Sequence, residues 1–200
     1  MRHPVPRITQ YASPSLIAAI ASGGHPRADD PRWRESGAPD QETYAAWCSR
    51  WCGMASFRMA LLSRDGTAPT LYELAMGCVE YGAYVDEPGR PRGLIYRPFA
   101  EYARDKHALQ ADVITDLDPA RLRAELDEGR LVIASVHAGI RRPENDPPAT
   151  GGHLVLVTGH VDGQVTFHNP SGHTPDTVVA TLPMPVFDRF AAHRGISLHL

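Results

Sequence analysis

The sequence predicts an α+β protein in which helices come first and an antiparallel sheet follows. Apolar residues spaced three or four apart, as in buried helices, recur through about the first two-thirds of the chain. Short alternating or continuous apolar runs fill the last third. Strands that alternated with helices would instead predict a parallel, doubly wound sheet. The 200 residues suit one domain over 1–200, with an N-terminal helix and extended segment (1–40), a helical part (41–130) and a sheet part (131–200).

Several helices are predicted before the sheet. Ser13-Pro14 is typical of a helix start and Gly23-Gly24 of its end, and 25–40 then has the composition of a long surface connection. The spacing of apolar residues over 53–63 predicts a largely buried helix with Cys52 at its N-terminal end. Further helices are predicted at 70–77, with a capping box of Thr70 and Glu73, at 98–106, and at 119–128 between Asp118 and Gly129.

Five strands are predicted after these helices. They cover 131–136, 154–158, 165–168, 178–182 and 196–200, the last after a short helix around 186–193. A segment of sixteen residues, 137–152, separates the first two strands and contains Arg141-Arg142-Pro143. Such a long loop in a compact domain is typical of a lid, a binding loop or a locally disordered segment. Its two arginines either bind a carboxylate or only keep the loop solvated.

Composition and charge exclude several classes of function. With 20 basic and 23 acidic side chains the net charge is −3, which argues against a nucleic-acid binder that neutralises phosphates. No apolar stretch approaches the roughly 18 residues needed to span a bilayer, so we expect a cytoplasmic protein without a membrane partner. Three cysteines, Cys48, Cys52 and Cys78, do not make a disulfide framework and indicate a reducing compartment. At least one thiol therefore stays free.

Cys52 is the candidate nucleophile because it begins a buried helix. The free N–H groups and the positive end of the helix dipole are expected to lower the pKa of the thiol below its ordinary value of about 8.5. The same N–H groups can bind a developing oxyanion. The alternative is that Cys52 is a small buried apolar residue, as most free cysteines are. We interpret Cys78 as a small buried apolar residue of this kind, and Cys48 as structural or as part of the preceding loop.

A thiol nucleophile needs an imidazole, and the imidazole needs an acceptor that orients it. His153 follows Gly151-Gly152 at the head of an apolar strand, and Asn169 ends the next strand before Pro170. A three-residue hairpin loop with Gly163 in a G1 bulge would set Asn169 opposite Val155. Asn169 would then be the diagonal neighbour of His153, whereas a two-residue loop would turn it to the opposite face.

These motifs resemble the papain-like cysteine peptidases. The resemblance rests on three motifs: the Cys-Gly-x-Ala-Ser helix start at Cys52, the Gly-His before an apolar strand, and the Asn-Pro that ends the following strand. Over about 44–172 the chain is most similar to the bacteriocin-processing (double-glycine leader) peptidases and their standalone relatives. The resemblance implies a papain-like fold in which the nucleophile helix packs on the C-terminal sheet. It implies Cys52 as nucleophile, His153 as general base and then acid, and Asn169 as the residue that orients His153.

This chain differs from the family pattern at two positions. Family members often have Asp-Pro where this chain has Asn169-Pro170, but an amide oxygen also accepts a hydrogen bond from an imidazole. The family usually has a Gln about six residues before the nucleophile, which completes the oxyanion hole, and this chain has Ala46. Ser49, Arg50 or Tyr44 would have to substitute for it, or the backbone N–H of Cys52 would act alone.

The implied activity is a cysteine-dependent hydrolase that acts on a peptide or a small acyl or amide substrate through a thioester. The same triad would serve an acyltransferase, or an amide-forming or thioesterase enzyme of natural-product biosynthesis. The alternative from another class of function is that this chain is a catalytically inactive relative of these enzymes that binds peptides. The missing Gln favours this alternative. A zinc site of Cys48, Cys52 and His153 or His160 lacks a fourth ligand of recognised spacing, so no metal or cofactor is expected.

Overall fold

The protein folds as an α+β structure, as predicted, in which most helices precede the central strands of an antiparallel sheet. It is described here by a computed structural model covering residues 4–87 and 91–200. Short 3₁₀ turns separate several of its helices, and no helix within those residues has the length and apolar character needed to cross a membrane. The α-helices are α1 (Ile17–Ala21), α2 (Gln41–Trp47), α3 (Cys52–Asp65), α4 (Leu71–Glu80), α5 (Tyr96–His107), α6 (Pro119–Asp127), α7 (Pro175–Val178) and α8 (Met184–Asp188).

Six of the strands form one antiparallel sheet, in the order β3-β8-β4-β5-β6-β7, and β1 and β2 form a separate short ribbon. The strands are β1 (Tyr84–Val85), β2 (Arg92–Gly93), β3 (Gln110–Ile114), β4 (Leu131–His137), β5 (Gly152–Val161), β6 (Gln164–His168), β7 (Val179–Pro183) and β8 (Ala191–His199). Strands β4 and β5 pair at the centre, with Val136 opposite His153. This central pair positions the candidate site.

The central strands are buried on both faces. Leu131 and Ile133 of β4 and Leu154 of β5 belong to a core shared with the N-terminal helices. Val132 and Val155, which alternate with them, belong to a second core shared with the later helices. Because both faces are covered, these strands have continuous apolar sequences rather than an alternation of apolar and polar residues.

Most predicted elements are present, with shifted ends. Helix α3 extends to Asp65 and ends at Gly66 in the left-handed conformation, and the Thr70–Glu73 capping box is formed. The prediction missed β3 and the β1–β2 ribbon. Strand β3 pairs only with β8 at the edge of the sheet, and its side chains are mostly exposed, so its sequence has little apolar signal.

The β5–β6 hairpin differs from the prediction at its turn, yet it has the predicted register at its far end. Its loop is the two-residue turn Asp162-Gly163, both at positive φ, and not the expected three-residue loop. The extra residue is Thr158, where the register shifts between the pairs Gly159↔Thr166 and Val157↔Phe167. This bulge restores Leu156↔His168, so Asn169 follows on the face predicted for it.

The N-terminal segment is anchored by a buried carboxylate. Asp30 is fully buried and accepts hydrogen bonds from the backbone N–H and hydroxyl of Ser13 and from the hydroxyl of Tyr44. Burial alone would raise the pKa of Asp30, but these hydrogen bonds outweigh it and lower the pKa. The segment 25–40, expected at the surface, therefore contains a buried anchor that ties the chain before α1 to α2.

We expect Asp30→Ala to lower the free energy of unfolding by about 2–4 kcal/mol, because the buried hydroxyl of Tyr44 and the N–H of Ser13 lose their acceptor. Chemical denaturation monitored by tryptophan fluorescence measures this change. The exposed neighbour Asp29 provides the control, and Asp29→Ala should stay within about 0.5 kcal/mol of wild type. Equal losses in the two variants would contradict the anchoring role.

Candidate active site

Helix α3 begins directly against strand β5, and Gly53 makes this contact possible. A Cβ atom at Gly53 would lie 3.0 Å from Cδ1 of Leu154 and 3.0 Å from Cδ2 of Leu94. The backbone at the first turn of α3 therefore approaches the side chains of its neighbours more closely than an alanine would allow. The contact holds Cys52, the preceding residue, beside the peptide that joins His153 to Leu154.

Backbone N–H groups surround the sulfur of Cys52. The N–H groups of Leu154, Gly53 and Cys52 itself interact with the thiol and favour its ionised form, as does the charge of Arg50. Burial acts in the opposite direction and is the larger effect, so the pKa of Cys52 is raised. Part of the residue surface stays accessible, but protein atoms surround it closely enough to disfavour the anion. The expectation of a lowered thiol pKa is therefore wrong for this conformation.

His153, Asn169 and Ser171 form a buried hydrogen-bonded network. Nε2 of His153 lies 2.8 Å from Oδ1 of Asn169 and 3.1 Å from the hydroxyl of Ser171. The backbone N–H of Ser171 donates to the same Oδ1 at 3.0 Å, which identifies that atom as the amide oxygen. Nε2 of a neutral His153 must then be the donor to Asn169, and Nδ1 keeps the lone pair. The predicted pairing of His153 with Asn169 is thus present.

The imidazole of His153 is held in its neutral form. Its residue is only 5% exposed, and burial lowers the pKa of His153 to about 4. The hydrogen bond to Asn169 favours the charged form but does not offset burial, and the nearby Arg141 and His137 disfavour it further. A neutral ring with a lone pair on Nδ1 is the protonation state required of a general base.

The thiol of Cys52 lies against the N–H of Leu154, the residue that follows His153, and His153 pairs with Asn169. Among the residues that the structure describes, no hydrogen bond joins the Cys52 thiol to the His153 ring. Catalytic hydrogen bonds of this kind often form only when substrate is bound. Cys48 and Cys78 are fully buried, and burial raises the pKa of both thiols. Cys78 is therefore a packing residue, as predicted, and Cys48 is a buried residue of the 3₁₀ turn that precedes α3.

The substitutes considered for the missing Gln are not equally available. The hydroxyl of Tyr44 donates to Asp30 at 2.6 Å, so it is committed elsewhere. Ser49 accepts a hydrogen bond from Arg27, and Arg50 is exposed. His160, one of the suggested zinc ligands, pairs with Asp127. Within the described ranges, no group of three or more His, Cys, Asp or Glu side chains is arranged to hold a metal ion.

The sequence analysis missed Gln10, a buried residue of the N-terminal segment. Its backbone N–H donates to the carbonyl of Pro170 at 2.9 Å, and its Nε2 donates to the carbonyl of Cys48 at 3.1 Å. These two hydrogen bonds bridge the turn after Asn169 and the turn before Cys52. Gln10 itself is only 4% exposed. The next residue, Tyr11, is close enough to Cys52 for the thiolate charge to raise the pKa of its phenol, although burial is the larger cause. Neither residue belongs to a local motif that would have identified it.

Comparisons with known proteins agree with this architecture. The model of the family described as Peptidase_C39 like matches residues 38–193. The peptidase domain of Streptococcus ComA, a bifunctional ABC transporter involved in a quorum-sensing pathway, superposes with a TM-score of 0.53 at 15% identity, over 75% of this chain and 91% of that one. A protein from Bacillus anthracis described as a C39-like peptidase gives a TM-score of 0.55 at 17% identity, over 76% and 89%. No curated protein matches the sequence.

We expect the rate at which iodoacetamide alkylates Cys52 in the folded protein to rise from pH 7 to pH 9. The thiolate is the reacting species, and burial raises the pKa of this thiol above its ordinary value. Peptide mapping by mass spectrometry follows Cys52, Cys48 and Cys78 separately, and the two fully buried thiols should react more slowly. A rate that is already constant from pH 6 to pH 9 would contradict this description.

Burial of His153 should make the protein less stable in acid. The unfolded chain protonates this residue near pH 6.5, whereas the folded protein does so only near pH 4. Between these values the unfolded state binds more protons, so stability falls as the pH drops, by up to about 3 kcal/mol from this residue. Denaturation at pH 7.5 and pH 4.5 should show a smaller loss for His153→Gln than for wild type. His25→Gln, the control, should follow the wild type.

Proposed function

Because this chain belongs to the Peptidase_C39 like family, we propose that it is a cysteine-dependent hydrolase of peptide or amide bonds in which Cys52, His153 and Asn169 carry the reaction. The observation that carries the proposal is the buried His153–Asn169–Ser171 network, which leaves Nδ1 of a neutral imidazole as a base. Beside it, the N–H groups at the start of α3 surround the sulfur of Cys52.

Acylation begins from a neutral thiol and a neutral imidazole. Nδ1 of His153 takes the proton from Cys52 as the sulfur attacks the substrate carbonyl carbon, so the thiolate never has to persist in a buried place. The tetrahedral oxyanion collapses, the carbon–nitrogen bond breaks, and His153 gives its proton to the leaving amine. Asn169 stabilises the transient imidazolium by accepting a hydrogen bond from Nε2 throughout.

Deacylation resolves the thioester on Cys52. A water molecule gives a proton to Nδ1 of His153 and attacks the thioester carbonyl, and the sulfur leaves and regains the proton. An amine in place of this water would make an amide, which is the acyltransferase alternative. The two reactions share every protein group and differ only in which nucleophile reaches the thioester.

Gln10 is the second oxyanion donor in this proposal. The backbone N–H of Cys52 is one donor, and hydrolysis of an amide needs at least one more. One N–H of the Gln10 amide binds the carbonyl of Cys48, and the amide lies buried between the two turns that carry Cys52 and Asn169. We assign its other N–H, for which no hydrogen bond is found within the described residues, to the oxyanion. A residue from the N-terminal segment would then perform the role for which Ala46 has no side chain.

Incubation with a panel of peptide amides and acyl thioesters tests the nucleophile. We expect intact mass spectrometry after rapid acid quench to show an acyl adduct that maps to Cys52, and Cys52→Ser should form none. Adding hydroxylamine or a primary amine should divert the product if the enzyme transfers acyl groups. Peptide binding by the wild type without any adduct or turnover would favour the inactive peptide-binding relative and contradict the proposal.

Gln10→Ala should lower the rate of acylation by about 10²-fold, the usual cost of one oxyanion donor. The same variant should react with iodoacetamide at nearly the wild-type rate, because alkylation at a saturated carbon forms no oxyanion. Gln41→Ala is the control, since the exposed Gln41 amide donates to Ala28 away from the site. Acylation that is equally fast in Gln10→Ala and wild type would remove Gln10 from the mechanism.

A further inference from the structure

A cavity without acidic groups lies beside the candidate active site. It has a volume of about 330 Å³ and lies between α1 and the 3₁₀ turn that follows β4. The polar side chains that line it are those of Ser22, His137, Arg141, Arg142 and His173, and none of its lining residues is Asp or Glu. The whole chain has a net charge of −3, so this positive lining is a local feature and not a property of the surface in general.

Arg141 is fixed at the wall of this cavity. Its Nε donates to the carbonyl of Ala138 at 3.0 Å, and one terminal nitrogen donates to the carbonyl of Ser171 at 3.5 Å. The residue is half-buried, and none of the ion pairs among the described residues involves Arg141 or Arg142. A partly buried guanidinium that has only carbonyl partners keeps an uncompensated charge for an anion.

The histidines of the cavity add hydrogen-bond donors. Nδ1 of His137 accepts from the backbone N–H of Gly139 at 3.0 Å, so a neutral His137 carries its proton on Nε2 and can donate it. Nδ1 of His173 is buried and has no hydrogen-bond partner in the described part of the chain. Together with Arg141 these groups match the acceptor oxygens of a carboxylate.

The cavity lies close to His153, since the charges of Arg141 and His137 act on its imidazole. Ser171 accepts from Arg141 through its carbonyl while its hydroxyl lies against Nε2 of His153, so a single residue separates the guanidinium from the imidazole. His153, which protonates the leaving amine, lies toward Arg141. Tyr11 lies within electrostatic range of both Arg141 and Cys52.

We propose that Arg141, assisted by His137 and His173, binds a carboxylate on the leaving group of the substrate. The preferred substrates then carry a free carboxylate close to the scissile bond, as at the C-terminus of a short peptide or on an amino acid joined through its amine. A guanidinium binds a carboxylate through two parallel hydrogen bonds, which fixes its direction as well as its charge. This inference rests on the proposed function, because it concerns the leaving group of the reaction proposed for Cys52 and His153.

Paired alkylating agents test the charge preference without knowledge of the substrate. Iodoacetate and iodoacetamide are similar in size and differ in the carboxylate, so the ratio of their rates at Cys52 reports the local field. We expect wild type to show a high ratio of the iodoacetate rate to the iodoacetamide rate. This ratio should fall about tenfold in Arg141→Gln, which is the size of effect that a partly screened charge several ångströms away produces. Arg104→Gln is the control, because it removes an exposed charge near the end of α5 that does not line the cavity, and it should change the ratio little.

Protection experiments test the ligand class. N-Acetylglycine should slow the alkylation of Cys52 by iodoacetamide in wild type, while N-acetylglycinamide should not, and the protection should be lost in Arg141→Gln. Arg141→Lys keeps the charge and should keep most of the iodoacetate preference, which separates loss of charge from loss of folding. Equal protection by inorganic phosphate would overturn the carboxylate class.

The outcomes distinguish this inference from the proposed function. A rate ratio that is the same in wild type and Arg141→Gln, or that falls equally in Arg104→Gln, would overturn the role of Arg141 even if Cys52 reacts fast and forms acyl adducts. If Cys52 reacts no faster than Cys48 and Cys78 with either reagent and forms no adduct, the proposed function itself fails.

Discussion

Leu154 packs against the first turn of α3 across a position where Gly53 has no side chain, and the rest of the site depends on this contact. It brings the start of a buried helix to the strand that carries His153, so the thiol of Cys52 lies beside the His153–Leu154 peptide. The packing that creates this proximity also removes water from the sulfur. The position of the thiol beside the His153–Leu154 peptide and its raised pKa therefore have the same physical cause.

Burial also determines which protonation states of Cys52 and His153 are stable. Burial disfavours both the thiolate of Cys52 and the imidazolium of His153, so the neutral pair is stable before substrate binds. In the proposed reaction the proton moves during attack, when the charge on the sulfur is consumed by the new bond. Asn169 would then fix the tautomer of His153 without supplying charge, so an amide oxygen suffices as the acceptor.

The segment before residue 38 lies outside the family match, yet it contributes directly to the site. Asp30 anchors it, Gln10 bridges the two turns that carry Cys52 and Asn169, and α1 forms one wall of the cavity beside Arg141. Part of the surroundings of Cys52 and His153 thus comes from a segment that precedes the family match. The proposed oxyanion donor Gln10 lies in that segment, whereas Arg141, which is proposed to bind the leaving group, lies within the match.

The sequence by itself determined the order of helices and strands, the helix start at Cys52 and the strand ends at His153 and Asn169, because hydrophobic period and turn residues are local properties. Only the tertiary structure decided the register, since the extra residue lies at Thr158 inside the hairpin and leaves no turn signal. The thiol pKa and the role of Gln10 also depended on it. Burial and contacts across more than thirty residues are set by packing, which no local pattern encodes.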